Sequence, residues 1–191
     1  MTLLILGLIV FLGTHSIRLI AGDWRESQIQ RRGLGVWKAM YSALSVAGLA
    51  LIVWGYAAAR AEPVLVWAPP EWTRHITALL TLVSFILLAA AYVPGNGIKA
   101  RLGHPMVAGV FVWAVAHLMS NGYVADLVLF ECFLIWSAVS FRRSRKRDQE
   151  SGIRYPEGNA TRTIITVVVG SVAWIAFALF LHAPLIGVKP F

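Results

Sequence analysis

The sequence predicts an all-α integral membrane protein, a bundle of six transmembrane helices with both termini outside. The 191 residues are 58% hydrophobic and only 14% charged, with a mean hydropathy of +0.70, far from the balance of a soluble domain. Apolar segments of the length that crosses a hydrocarbon layer of roughly 30 Å recur along the chain. Basic residues are concentrated in every second connecting segment.

The first three spans are delimited by charge, proline or glycine. They cover residues 2–22, 38–59 and 73–93. The first lacks a basic leader and a small-residue cleavage site, so we expect it to be retained as a helix of the bundle.

The remaining apolar sequence predicts three more spans. The stretch 104–141 is too long for one helix, and Ser-Asn-Gly at 120–122 is a turn signal, so we divide the stretch into a helical hairpin. The last span covers residues 163–186, after the polar segment 142–162. No segment remains for an extramembrane domain, so residues 1–191 are predicted to form a single transmembrane domain.

The net charge of +8 follows this topology and does not indicate nucleic-acid binding. Arg60, Arg74 and Lys189 are the basic residues on the predicted outer side. The predicted inner segments hold many more, as the positive-inside rule requires: Arg25, Arg31, Arg32, Lys99, Arg101, Arg142, Arg143, Arg145, Lys146, Arg147, Arg154 and Arg162.

Covalent haem and disulfide chemistry are excluded by the cysteine count. Cys132 is the single cysteine, so the chain has neither an internal disulfide nor a Cys-x-x-Cys-His attachment sequence. Glycine-rich phosphate loops, Gly-x-Ser-x-Gly and HExxH are also missing. The chemistry is therefore expected from ionisable residues within the spans, because placing such groups in lipid is costly without a partner.

All five histidines lie in or beside the spans, which is an uneven distribution. His15, His117 and the carboxylate Glu131 lie within them. His75, His104 and His182 lie near span ends, where we expect helix capping or headgroup contact.

Imidazoles on two helices can ligate a non-covalent haem, and His15 and His117 are the candidate iron ligands. Arg18, three residues after His15, can reach a propionate, and Glu131 can accept a proton from His117. Ala114 leaves space for a flat ring on the face of His117, and Gly7 and Gly13 allow close helix approach near His15.

Ordinary structural roles are the alternative to each of these assignments. The histidines can instead hydrogen-bond to a carbonyl or hydroxyl, and Glu131 can be protonated and bonded to a neighbouring helix. Counting 1.5 Å per residue also places His15 several ångströms deeper than His117, which argues against a strict two-sided axial pair.

Several short segments, taken together and in order, resemble the NnrU family over nearly the whole chain. These are Gly-Thr-His-Ser-Ile-Arg at 13–18, Lys-Ala-Met-Tyr-Ser at 38–42, Tyr-Val-Pro-Gly-Asn at 92–96, His-Pro-Met at 104–106, Trp-Ala-Val-Ala-His-Leu at 113–118 with Asn-Gly at 121–122, and Leu-His-Ala-Pro-Leu-Ile-Gly-Val at 181–188. The resemblance implies a bacterial inner-membrane protein linked to nitrite and nitric oxide metabolism in denitrification.

That family is similar to the plant 15-cis-zeta-carotene isomerase, a membrane haem b enzyme whose histidine ligands match His15 and His117. The isomerase has a cysteine three residues before its second histidine, where this chain has Ala114. The resemblance implies a haem-bearing accessory or sensory protein that binds nitric oxide, or a haem-dependent isomerase of a polyene lipid. A non-haem scaffold for another membrane complex is a third possibility.

Overall fold

The computed structural model describes residues 1–190, which contain α-helices and no β-strand. A π-helical turn, Phe177–Leu181, separates the last two α-helices. In chain order the α-helices are α1 (Thr2–Ile20), α2 (Gly22–Arg32), α3 (Leu34–Ala59), α4 (Thr73–Tyr92), α5 (Gly97–Leu102), α6 (Pro105–Ser120), α7 (Val124–Glu150), α8 (Ala160–Ala176) and α9 (His182–Ile186).

Within residues 1–190, five helical runs are long and apolar enough to cross a membrane, which confirms the prediction of an all-helical protein with long apolar helices. They are α1, α3, α4, α7 and the run from Ala160 to Ile186. The sixth apolar helix, α6, has only 16 residues. At 1.5 Å per residue it is about 24 Å long, shorter than a typical hydrocarbon layer.

The surface and the interior have the pattern of a chain that is solvated by lipid. Large apolar side chains point outward, and Ile9 and Leu79 are each 65% exposed. Small polar side chains lie inside, and Ser137 and Thr166 are completely buried. A water-soluble bundle places its apolar side chains inside instead, so the exposed stripes are suited to acyl chains.

Two connecting segments are more helical than the sequence predicted. The first loop contains α2, and α7 continues through the basic run as far as Glu150. Arg, Lys, Gln and Glu are strong helix formers, so polarity alone did not end α7. Lys146 and Glu150 also lie 3.7 Å apart as an i,i+4 ion pair on the surface of α7.

Residues 1–66 and 123–132 form one compact unit, here called unit 1. Its centre is the close packing of α1 against α3 through glycine. A Cβ on Gly7 would lie 2.5 Å from the backbone nitrogen of Ile52, and one on Gly48 would lie 2.8 Å from that of Phe11. Gly13 has no such neighbour among the described residues, so its expected role in close helix approach is wrong.

Unit 2 consists of residues 67–122 and the described residues from 133 onward. Hydroxyl groups link its helices. Ser84 on α4 donates to the carbonyl of Gly109 on α6 at 2.8 Å. The indole Nε1 of Trp174 on α8 donates to Thr81 on α4 at 2.9 Å. Small polar residues of this kind commonly join helices within membranes.

Candidate functional site

The ring of His15 is fixed on α1 by a hydrogen bond to its own helix. Its Nδ1–H donates to the carbonyl oxygen of Phe11 at 2.7 Å. The ring stacks on Phe11 with centroids 4.2 Å apart and lies 5.3 Å from the ring of Tyr41 on α3. Because a carbonyl can only accept, Nδ1 carries the proton, and in the neutral imidazole the lone pair is on Nε2.

His117 has the same local geometry on α6. Its Nδ1–H donates to the carbonyl oxygen of Trp113 at 2.9 Å, and its ring centroid lies 5.1 Å from that of Trp113. Asn121 donates to the carbonyl of His117 at 2.8 Å and so satisfies an acceptor at the end of α6. The neutral ring therefore also has its lone pair on Nε2, the nitrogen that a metal would use.

The structure places the other predicted site residues as follows. Arg18 is exposed in the last turn of α1, three residues beyond His15. Glu131 is exposed on α7. The Nδ1 proton of His117 is donated to Trp113, so a hydrogen bond from His117 to Glu131 would have to use Nε2. Ala114 is completely buried by the protein itself. The cofactor roles of Arg18 and Glu131 stay predictions.

His15, Arg18 and Glu131 belong to unit 1, whereas His117 belongs to unit 2. Each histidine is therefore described within its own unit. Within residues 1–190 no group of three or more His, Cys, Asp or Glu side chains is placed to hold a metal ion directly.

The three histidines near span ends differ from one another. His75 is exposed in the first turn of α4. His182 donates from Nδ1 to the carbonyl of Val188 at 2.7 Å. His104 precedes α6 at the N-cap position, but its side chain forms no cap there.

His104 instead joins a buried polar cluster that the sequence did not reveal. Its Nε2–H donates to Oδ2 of Asp148 at 2.7 Å, and the hydroxyl of Tyr155 donates to the same oxygen at 2.6 Å. Asp148 is only 5% exposed. Burial, together with the hydrogen bond to Asp148, raises the pKa of Tyr155, so its hydroxyl stays protonated as a donor.

A second buried carboxylate, Asp126, lies in the first turn of α7 and was also missed. Its Oδ1 accepts from the hydroxyl of Tyr56 on α3 at 2.5 Å, and its Oδ2 accepts from the backbone N–H of Tyr123 at 3.3 Å. Asp126 is 3% exposed. An acidic residue within an otherwise apolar stretch was the available signal, but the partner is 70 residues away in the sequence.

A family model described as NnrU protein matches residues 3–190, nearly the whole chain. No curated protein and no solved structure matches.

Proposed function

The chain belongs to the NnrU family, and on that premise we propose that it is a multi-pass protein of the bacterial inner membrane that binds haem b non-covalently and has an accessory or sensory role in nitrite and nitric oxide metabolism. His15 and His117 are the proposed iron ligands. Arg18 is proposed to pair with a propionate. Glu131 is not assigned a hydrogen bond from His117, because Nδ1–H of that ring donates to Trp113 and Nε2 would bind the iron.

The observation that supports this proposal is the shared geometry of the two histidines. In each of them Nδ1–H donates to the carbonyl four residues earlier in the same helix, at 2.7 Å for His15 and 2.9 Å for His117. A metal-bound histidine usually donates its other N–H to a carbonyl or carboxylate, which fixes the tautomer and makes the ligand nitrogen more basic. The donor set therefore fits haem iron.

The residues around the two rings also suit a flat apolar group. Phe11 and Tyr41 lie beside His15, and Trp113 lies beside His117. These aromatic contacts restrict ring rotation and hold the direction in which Nε2 points. A bound haem would supply an iron centre that binds diatomic gases such as nitric oxide.

We also propose the complete topology of six spans with both termini outside. The five long helical runs and α6 together give six apolar helices. If all six helices cross the membrane, the basic segments around Arg25, Lys99 and the end of α7 lie on the same side of it. The short α6 packs against α4. It can therefore cross as part of the bundle without itself extending to both headgroup layers.

An absorption spectrum of detergent-purified protein, produced with sufficient haem, tests this function. We expect a Soret band that shifts on reduction, and a further shift when nitric oxide replaces one of the two histidine ligands in the ferrous protein. A Soret band that does not respond to nitric oxide would support haem binding but contradict the gas-linked role. Protein without any Soret band would contradict the whole proposal.

A further inference from the structure

A cleft of about 630 Å³ lies in unit 2 where α5 meets the beginning of α8. One side is formed by Gly97, Ile98, Arg101 and Leu102, and the other by residues 158–160 with Thr163 and Ile164. The volume is in the range of small-molecule sites. None of these residues belongs to the proposed haem site.

The walls of the cleft are held in place by hydrogen bonds from buried groups. Asn96 is 1% exposed, and its side-chain amide donates to the carbonyls of Ala90 and Val93 at 2.9 and 2.6 Å. The backbone N–H of Gly97 donates to the hydroxyl of Thr163 at 2.8 Å, which joins α5 to α8. The cleft is therefore formed before any ligand arrives.

At the floor of the cleft, the backbone at Gly158 lies directly against the backbone at Gly97. A Cβ on Gly158 would collide with the backbone nitrogen and Cα of Gly97. The backbone N–H of Asn159 also donates to the carbonyl of Gly95 at 3.0 Å. A side chain at position 158 would push these two backbone segments apart, so glycine at this position keeps the cleft narrow.

The lining combines one cation with apolar side chains that are open to the surroundings. Ile164 is 63% exposed and begins the apolar face of α8, while Arg101 is exposed on α5. The cleft is thus positively charged at Arg101 on α5 and apolar at Ile164, where α8 begins its apolar face. A ligand that matches both parts needs an anionic head joined to a hydrocarbon chain.

We propose that this cleft binds an anionic phospholipid, with the phosphate at Arg101 and the start of an acyl chain along Ile98, Leu102 and Ile164. The backbone N–H groups of Arg162 and Thr163, at the start of α8, are already bonded to Asn159. A free anion would therefore contact Arg101 alone and leave the apolar lining uncovered, whereas a phospholipid also covers Ile98, Leu102 and Ile164. The guanidinium of Arg101 and the apolar walls then provide the recognition.

Native mass spectrometry of the full chain, titrated with phosphatidylglycerol or phosphatidylcholine, tests this site. We expect wild type to favour phosphatidylglycerol by about tenfold, since one charged hydrogen-bonded contact has that effect. Arg101→Gln should remove the preference. Arg154→Gln is the matched control, because it removes the same charge from an exposed residue outside the cleft, and it should keep the preference within about twofold.

A second variant tests the shape of the cleft without changing its charge. Ala160→Trp places a large side chain at an exposed lining position, and it should weaken both lipids while size-exclusion behaviour stays that of wild type. If Ala160→Trp does not fold, the comparison of Arg101→Gln with Arg154→Gln decides alone. Equal losses in those two variants would show general surface charge attraction and overturn the proposal. Displacement of phosphatidylglycerol by excess inorganic phosphate would show an anion site and would also overturn it.

Discussion

His104 and Asp148 are 44 residues apart in the sequence, yet the imidazole Nε2 lies 2.7 Å from the carboxylate Oδ2. This contact joins the beginning of α6 to the end of α7. Tyr155 adds a second donor to the same oxygen and packs its ring against Gly103, where a Cβ would lie 2.7 Å from the ring. Gly103 has a φ of 74°, a conformation that suits glycine. The turn at Gly103 and the cluster of His104, Asp148 and Tyr155 therefore stabilise each other.

Asp148→Ala should lower the free energy of unfolding in detergent by about 1–3 kcal/mol, because the half-buried donors of His104 and Tyr155 lose their common, buried acceptor. Thermal unfolding followed by circular dichroism measures the change. Glu150→Ala is the control, since it removes an exposed carboxylate whose ion pair with Lys146 is worth little. Equal effects of the two substitutions would contradict a structural role of the cluster.

Gly7→Ala should destabilise unit 1 by about 1–3 kcal/mol, because the added methyl meets the backbone of α3 at Ile52. Gly13→Ala, on the same helix, meets nothing within 4 Å and should be neutral or slightly stabilising. The thermal unfolding midpoints of the two variants in one detergent provide the comparison. Similar midpoints would show that α1 and α3 do not depend on this close contact.

The main helices could be predicted from hydropathy because the length of a span and the charge of its flanks are local properties. The turn at residues 120–122 was also predicted correctly, and α6 ends at Ser120. Helix ends within polar sequence were less predictable. α7 continues nine residues past Phe141, since neither proline nor glycine interrupts it before Gly152.

The buried acids could not be predicted in the same way. Asp148 lies within a basic segment whose composition is typical of a solvated helix end, and Asp126 lies next to a loop. The partners of Asp148 are His104 and Tyr155, and the partner of Asp126 is Tyr56. These partners come from other segments that only tertiary packing brings close. For His15 a carbonyl partner was one of the alternatives from sequence, but neither its position four residues earlier on the same helix nor the same bond at His117 was predicted. This bond also suits a metal ligand.

Reporter fusions test the proposed orientation. A fusion after Phe191 should be active outside the inner membrane, and an insertion at Gly152, in the exposed turn after α7, should be active inside. The reverse pattern would contradict the orientation. Joint neutralisation of the basic run after Phe141 should weaken the orientation while leaving each apolar span intact; that run is Arg142, Arg143, Arg145, Lys146 and Arg147. An unchanged orientation would mean that other charges determine it.

The haem content of the His15→Ala/His117→Ala double variant tests the central proposal most directly. Haem per protein is measured from the Soret absorbance after purification, with wild type and His75→Ala prepared in parallel. His75 is exposed in the first turn of α4 and should be dispensable. We expect wild type and His75→Ala to retain haem and the double variant to lose nearly all of it, because both iron bonds are removed. Full haem retention in the double variant would contradict the assignment of His15 and His117 as ligands.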